Sequence, residues 1–262
     1  MKIKSVKHWG LALCVSAALA SLNGCGQPVN QQSSESAQIA GNASAQSDVF
    51  AANANLFDLQ QVRITDGPFA HAMHTNVNYL LAMEPERLLA PYLREAGLKP
   101  KADSYGNWED TGLDGHIGGH YLSALSLGYA ATGDPALLDR LEYMLDQLKQ
   151  AQEAGNGYLG GIPNSKAMWA EIKAGKIKAD LFSLNGRWVP LYNIDKIFHG
   201  LRDAYEIAHR EQARAMLLEL GEWMLDITDG LTDEQIQQML YSEHGGLNEV
   251  FADMAAISGD ER

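Results

Sequence analysis

The segment NWEDTGLDGHIGGHYLSALSLGYAATGD (107–134) decides the fold class of this chain. From Ile117 onward its apolar residues recur at the spacing of one helix face, which predicts a helix over 117–131. Asp134-Pro135 then predicts the start of a second helix, because Asp is a favoured N-cap and Pro a favoured first helical residue. The segment therefore predicts a helical hairpin preceded by a glycine-rich polar loop.

Helical spacing recurs along most of the remaining chain. It predicts further helices at 70–83, 135–150, 190–208, 211–227 and 246–257, whereas 56–69 reads as extended up to a turn at Asp66-Gly67-Pro68. The pattern of 119–134 returns 126 residues later in 245–260, and the hairpin pattern begins three times in all. Repeated helical hairpins stack to cover their apolar faces, so the fold prediction is all-α, a solenoid or a closed toroid. The third hairpin is incomplete at Arg262, so we expect the front part of a longer domain.

The N-terminal residues predict export rather than folded structure. Residues 1–25 combine a basic start with an apolar run that is too short to cross a bilayer, which is typical of a signal peptide. The run ends in Leu-Asn-Gly-Cys25, which resembles a bacterial lipobox and predicts a lipid anchor at Cys25; an ordinary signal peptide with an incidental cysteine is the alternative. Residues 26–55 are rich in Gln, Ser, Ala and Asn and predict a flexible tether, so the folded domain is 56–262.

Charge and cysteine content exclude several classes of function. The formal net charge of −13 becomes −16 when residues 1–25 and their three lysines are removed, which argues against a nucleic-acid partner. The two cysteines are Cys14 and Cys25, so the folded part has neither a disulfide nor a thiolate metal site.

The polar loop of the opening segment has three interpretations. His116 and His120 stand four residues apart after Asp114, which suits a metal site, although Gly118-Gly119 between them argues against it. A structural loop whose histidines cap helix ends is the second interpretation. The third, which we favour, is a sugar-binding surface on which Trp108 stacks and the carboxylates and imidazoles bind hydroxyl groups.

Two further clusters precede predicted helices. In YSEHGGLNE (241–249), Glu243 and Glu249 are candidates for an acid/base pair, because glycosidases use two carboxylates, but we favour a binding role. Around Trp188, the segment WVPLYNIDKIF (188–198) places Tyr192 at a helix start, where it can form a pocket wall.

These segments, with GYLGGIPN (157–164) and LTDEQIQQML (231–240), resemble in order the N-terminal part of the β-L-arabinofuranosidase-like glycoside hydrolases of families 127 and 146. The resemblance implies an (α/α)6 toroid of the six-hairpin type, of which 56–262 is about the first half. It also implies that His120 and the 243–249 segment line the sugar-binding subsite.

This chain departs from the family pattern in two respects. The family usually has His where this chain has Asp195, which puts that sugar contact in doubt. The family's acid/base Glu and its cysteine nucleophile, held in a zinc-cysteine cluster, are not found in this sequence. We therefore expect no catalytic residue, metal site or cofactor in this chain, and zinc only in a full-length enzyme.

The sequence thus predicts a glycoside hydrolase that acts on β-L-arabinofuranosides of plant glycans or glycoproteins. Its partners would be an arabinose-containing oligosaccharide and, through Cys25, a membrane on the periplasmic or cell-surface side. We expect this chain to supply part of the sugar-binding wall and to be inactive alone. The alternatives are a non-catalytic surface glycan-binding lipoprotein and a non-functional gene fragment. The predicted substrate-binding residues are Trp108, Asp114, His116, His120, Tyr192, Glu243, His244 and Glu249.

Overall fold

The computed structural model describes residues 57–260 and 262, which belong to one compact unit, Leu56–Arg262. The predicted signal peptide, the lipid anchor at Cys25 and the tether lie outside the described residues. Within the described part, no helix has both the length and the hydropathy that a bilayer span requires.

The described residues are mostly helical, which confirms the all-α prediction. Two short 3-10 helices, Leu59–Gln61 and Asn107–Glu109, accompany nine α-helices. In chain order the α-helices are α1 (Gly67–Ala82), α2 (Pro85–Glu95), α3 (His116–Thr132), α4 (Pro135–Ala154), α5 (Ser165–Lys173), α6 (Pro190–Glu206), α7 (Glu211–Thr228), α8 (Asp233–Met239) and α9 (Leu247–Ser258).

All six helices predicted from apolar spacing are present, but three others were not predicted. Helix α2 carries Pro91 in its interior, where proline usually breaks a helix, and that residue hid the apolar pattern around it. Helices α5 and α8 are only 9 and 7 residues long, too short for a periodic pattern to stand out. The expected extended segment 56–69 contains a 3-10 turn and, among its described residues, no strand.

The structure confirms the predicted repeat at its helix ends. Helices α3 and α9 both end at a glycine in the left-handed region, Gly133 (φ 72°) and Gly259 (φ 74°). Each glycine donates its N–H to the carbonyl four residues earlier, at Tyr129 and Ala255. Asp134 then caps α4 by accepting from the Ala136 N–H at 2.9 Å, as the sequence predicts.

Helix α6 is the central element of the apolar core. It packs against α3, α7 and α9. Its apolar face, which includes Leu191, Ile194, Phe198 and Leu201, is fully buried among the side chains of these neighbours. Packing around α6 therefore brings the N-terminal turns of α3 and α9 to the middle of α6.

A small antiparallel sheet leads into α6. Its strands β1 (Ala179–Asp180), β2 (Ser183–Leu184) and β3 (Arg187–Trp188) pair in the order β1-β2-β3. The next residue, Val189, has a φ of 34°, an unusual conformation for a β-branched residue. This turn sets the direction in which α6 leaves the sheet and so places Trp188 beside the start of α6.

Candidate functional site

A cavity of about 330 Å³ lies between the N-terminal halves of α3 and α9 and the middle of α6. We call it the three-helix pocket. Charged and imidazole side chains dominate its lining, together with one hydroxyl group, so the pocket offers both donors and acceptors of hydrogen bonds. The lining residues are His120, Ser123, Asp195, Lys196, His199, Asp203, Gly246 and Glu249.

Close approach of backbones brings these helices together. A Cβ atom on Gly119 of α3 would lie 2.3 Å from the carbonyl carbon of Lys196 in α6, so the position has room only for hydrogen. Gly245, with a φ of 59°, would place a Cβ 2.6 Å from Oδ2 of Asp195. The glycines before α9 and within α3 therefore let both elements close onto the same turn of α6.

Asp195 occupies the centre of this contact, with its side chain completely buried. Oδ2 lies 2.7 Å from Nζ of Lys196, and Oδ1 lies 2.9 Å from Nδ1 of His199. Burial works to raise the pKa of Asp195, but its contacts with His199, Lys196 and the Gly246 backbone outweigh burial and lower the pKa. The carboxylate is thus held charged inside the protein.

The pKa values of the two imidazoles at the pocket shift in opposite directions. The contact with Asp195 is the largest influence on His199 and raises the pKa of that ring. Burial, followed by the positive charge of Lys196, lowers the pKa of His120. Near neutral pH the environment therefore favours a charged His199 beside a neutral His120.

Arg202 fixes the opposite wall of the pocket. Its Nη1 lies 2.9 Å from Oε1 of Glu249, and its Nη2 lies 2.9 Å from Oδ1 of Asp203. The guanidinium also pairs with Asp253 on α9. These contacts tie α9 to α6 and hold the Glu249 carboxylate at the pocket, 3.9 Å from Nε2 of His199.

Aromatic side chains continue the pocket toward the sheet. Trp108 and Trp188 lie with ring centroids 6.0 Å apart, and their side chains are well exposed. The Trp108 ring lies 6.3 Å from that of His116, which is 6.5 Å from the ring of Tyr192. Nζ of Lys196 lies 4.2 Å above the Tyr192 ring. Trp108, Trp188 and Tyr192, which we call the aromatic rim, thus lead to the edge of the three-helix pocket.

Glu109, Asp114 and His116 of the opening polar loop are buried, and each has a polar partner. Glu109 accepts the backbone N–H groups of Gly115 and Ile117 at 2.9 and 3.2 Å, and its Oε1 lies 2.7 Å from Nδ1 of His116. Asp114 is 2 % exposed and pairs with Arg94 at 2.6 Å. These groups therefore hold the start of α3 in place.

The amide of Asn193 joins this loop to α6. Its Nδ2 donates to the carbonyl oxygens of Leu113 and Asp114 at 2.9 and 3.0 Å. A loop that carries Trp108 and a helix that carries Tyr192 are in this way fixed relative to each other.

The predicted site residues fall in different parts of this surface. His120 and Glu249 line the three-helix pocket, whereas Trp108 and His116 line a neighbouring cavity with the start of α3. Glu243 and His244 lie beyond Gly245 in a third cleft, beside the exposed Phe182 and Tyr241. Because Glu243 and Glu249 line different cavities, the geometry does not favour them as an acid/base pair.

Sequence reasoning named Asp195 only as a departure from the family pattern and passed over His199, Lys196 and Asp203. Asp195 and His199 are separated by one helical turn, a spacing that places two side chains on the same face. That spacing was the available signal for a paired carboxylate and imidazole. Lys196 and Asp203 carried no comparable signal.

The family model described as "Beta-L-arabinofuranosidase, GH127 catalytic domain" matches residues 61–262. The chain belongs to this GH127 family. It is therefore a glycoside hydrolase domain of the arabinofuranosidase type, and the mostly helical structure agrees with the toroid that the resemblance implies. No curated protein gives a significant match.

The residues present do not fit the zinc-cysteine cluster that the resemblance implies. Both cysteines, Cys14 and Cys25, precede the described residues. Among residues 57–260 and 262, no group of three or more His, Cys, Asp or Glu side chains is arranged to hold a metal ion. We therefore derive no chemical step through zinc from this chain.

Proposed function

We propose that the three-helix pocket and the aromatic rim bind the arabinofuranose ring of an arabinose-containing oligosaccharide from plant glycans or glycoproteins. The observation that carries this proposal is the pocket itself, which lines a space of about 330 Å³ with charged groups, imidazoles and the Ser123 hydroxyl. Hydroxyl groups of a sugar both donate and accept, so they match such a lining. The family match supports the same ligand class.

The aromatic rim supports a sugar rather than a small ion. Trp108 is 61 % exposed and Trp188 is 39 % exposed. Large aromatic rings gain free energy when they are buried, so a ligand that covers these two rings would bind favourably. Exposed aromatic faces beside a polar pocket are typical of a site for a ligand with one apolar face and several polar groups.

We also propose that this chain binds sugar without cleaving it. The lining offers an exposed carboxylate, Glu249, but its Oε1 already accepts from Arg202 at 2.9 Å. That contact gives Glu249 a hydrogen-bonding role in the pocket wall. No separate observation favours the alternative function, a non-catalytic surface glycan-binding lipoprotein.

Binding is tested with methyl β-L-arabinofuranoside, titrated into the purified chain and followed by NMR or calorimetry. Trp108→Ala and Glu249→Gln should each weaken binding, whereas His74→Gln, at an exposed position on α1, should leave it unchanged. Equal binding by all four proteins would contradict the proposed site.

Turnover is tested separately with a chromogenic β-L-arabinofuranoside and a measurement of zinc content. We expect neither release of arabinose nor bound zinc. Stoichiometric zinc together with cleavage would show that the chemistry is carried by this chain after all.

For residues 1–25 we propose cleavage before Cys25 and lipidation of that cysteine, on the basis of the sequence Leu-Asn-Gly-Cys. Mass spectrometry of the protein expressed in a bacterium should show the acyl mass on Cys25. Cys25→Ser should move the protein from the membrane fraction to the soluble fraction; an unchanged distribution would contradict the anchor.

A further inference from the structure

His199 is the pocket residue whose orientation is most completely defined. Its Nδ1 lies 3.1 Å from the main-chain oxygen of Asp195 and 2.9 Å from Oδ1 of the same residue. A carbonyl oxygen only accepts hydrogen bonds, so Nδ1 must carry the hydrogen. The direction of that N–H favours the main-chain oxygen, and the carboxylate oxygen attracts the ring by its charge. Nε2 is consequently the atom left for the pocket.

Nε2 of His199 faces the Glu249 carboxylate at 3.9 Å. This separation is too long for a direct hydrogen bond, which needs about 2.7–3.2 Å. A hydroxyl oxygen at about 2.8 Å from each atom fits between them, because twice that length exceeds the gap. Such a hydroxyl accepts from a protonated Nε2 and donates to Glu249, whose Oε1 keeps its bond to Arg202.

We propose that His199 and Glu249 together hold one hydroxyl group of the bound sugar, and that Asp195 is the positioning residue that fixes the His199 ring for this contact. The inference rests on the proposed sugar-binding function and adds a residue that was not among the predicted site residues. Asp195 is completely buried and so does not contact the sugar directly. It acts on sugar binding through the His199 ring.

The packing around Asp195 indicates that its position is built rather than incidental. Gly245 and Gly246 approach this part of α6 closely. A Cβ on Gly245 would lie 2.6 Å from Oδ2 of Asp195, and a Cβ on Gly246 would lie 3.0 Å from Cε1 of His199. Lys196 holds Oδ2 at 2.7 Å from the other side. The carboxylate therefore has little freedom to leave His199.

The contact makes sugar affinity depend on pH. The hydrogen on Nδ1 of His199 is held by Asp195, so only the doubly protonated ring can also donate through Nε2. Sugar binding therefore weakens as pH rises through the pKa of His199. The groups that surround the ring on its three helices are His120 on α3, Asp195, Lys196, Arg202 and Asp203 on α6, and Glu249 and Asp253 on α9.

The test is an NMR titration of the histidine Cε1–H signals of the purified chain, with and without methyl β-L-arabinofuranoside. The probe should shift the His199 signal, and its affinity should fall about tenfold as His199 loses its proton, the loss expected for one charge-assisted hydrogen bond. His199→Gln should bind about tenfold more weakly near neutral pH and should lose this pH dependence. His74→Gln should behave as the wild type.

Asp195→Asn reports on the positioning role. The substitution should lower the pKa of His199 in the free protein and weaken binding near neutral pH, while His199→Gln remains informative if this variant does not fold. An unchanged His199 pKa in a folded Asp195→Asn variant would overturn the role of Asp195.

Two outcomes separate this inference from the function on which it rests. Binding by the wild type that is unaltered in His199→Gln would overturn the inference and leave the proposed function standing. Failure of the wild type to bind the probe at any pH would overturn both.

Discussion

A single methyl group at Gly119 should disturb both the fold and the pocket. The Cβ of Gly119→Ala would lie 2.3 Å from both the carbonyl carbon and the carbonyl oxygen of Lys196, and 2.6 Å from the amide nitrogen of Ile197. Non-bonded carbon atoms meet at about 3.5 Å, so α3 and α6 would have to separate by about 1 Å. Because the atoms in the way belong to the backbone, no change of side-chain rotamer can relieve the overlap.

The magnitude follows from two opposing effects. Replacing glycine by alanine inside a helix stabilises it by about 0.8–1 kcal/mol through helix propensity. Overpacking a core costs about 1–3 kcal/mol, and more where the backbone must move. We expect the second effect to win at Gly119, with a net loss of about 2 kcal/mol or more, which corresponds to a fall in Tm of about 4–8 °C for a domain of this size.

Gly128→Ala is the matched control on the same helix. Its Cβ would meet only the methyl ends of Leu137 and Leu80, at 3.0 and 3.6 Å, and these side chains can adjust. Urea unfolding of both variants, with the slope compared to confirm that compactness is unchanged, measures the difference. If Gly119→Ala proves as stable as Gly128→Ala, the close approach of α3 and α6 is wrong.

Three further predictions concern buried polar groups. Tyr92→Phe should cost about 1 kcal/mol of unfolding free energy, because the buried Tyr92 hydroxyl donates to the Gly115 carbonyl, which would keep only its bond from the Gly118 N–H. Glu109→Ala should cost at least about 2 kcal/mol, since two backbone N–H groups at the start of α3 lose their acceptor, whereas Asp110→Ala, at the exposed neighbouring position, should change stability by under about 0.5 kcal/mol. Urea midpoints decide both, and equal losses from Glu109→Ala and Asp110→Ala would contradict the second. The pKa of His199 is higher in the folded protein than its value of about 6.5 in the unfolded chain. Its charge therefore stabilises the fold fully at pH values below about 6.5, and this stabilisation is lost as pH rises through the folded pKa. The stability advantage of the wild type over His199→Gln should therefore shrink as pH rises, and a constant or growing gap would refute this reasoning.

Local signals in the sequence were sufficient for most of the fold. Apolar spacing identified the six longer helices, and the Gly-Asp turns located the ends of α3 and the start of α4, because caps and periodicity depend on neighbouring residues only. Helix α2 was missed since proline inside a helix is tolerated when the surrounding side chains are buried, as Pro91 is here. That compensation comes from tertiary packing, which one sequence does not display.

The candidate site was less accessible to sequence reasoning. Residue type alone does not separate Asp114, which pairs with Arg94 behind the loop, from Glu249, which faces the three-helix pocket. The difference arises from which face of each element packs on α6. The meeting of Asp195 with Gly245 likewise depends on a backbone approach between segments that lie 50 positions apart in the chain.

The repeated loop-to-helix units explain why one pocket holds two unlike histidines. His120 comes from the first turns of α3 and is influenced most by burial, while His199 comes one turn after Asp195 on α6 and is influenced most by that carboxylate. Stacking similar helical hairpins thus brings together side chains whose surroundings differ, and their pKa values move apart as a result. A neutral imidazole offers a sugar both a donor and an acceptor, whereas the charged one only donates. If the pocket binds a sugar as proposed, these two imidazoles would therefore contact different hydroxyl groups of the ring.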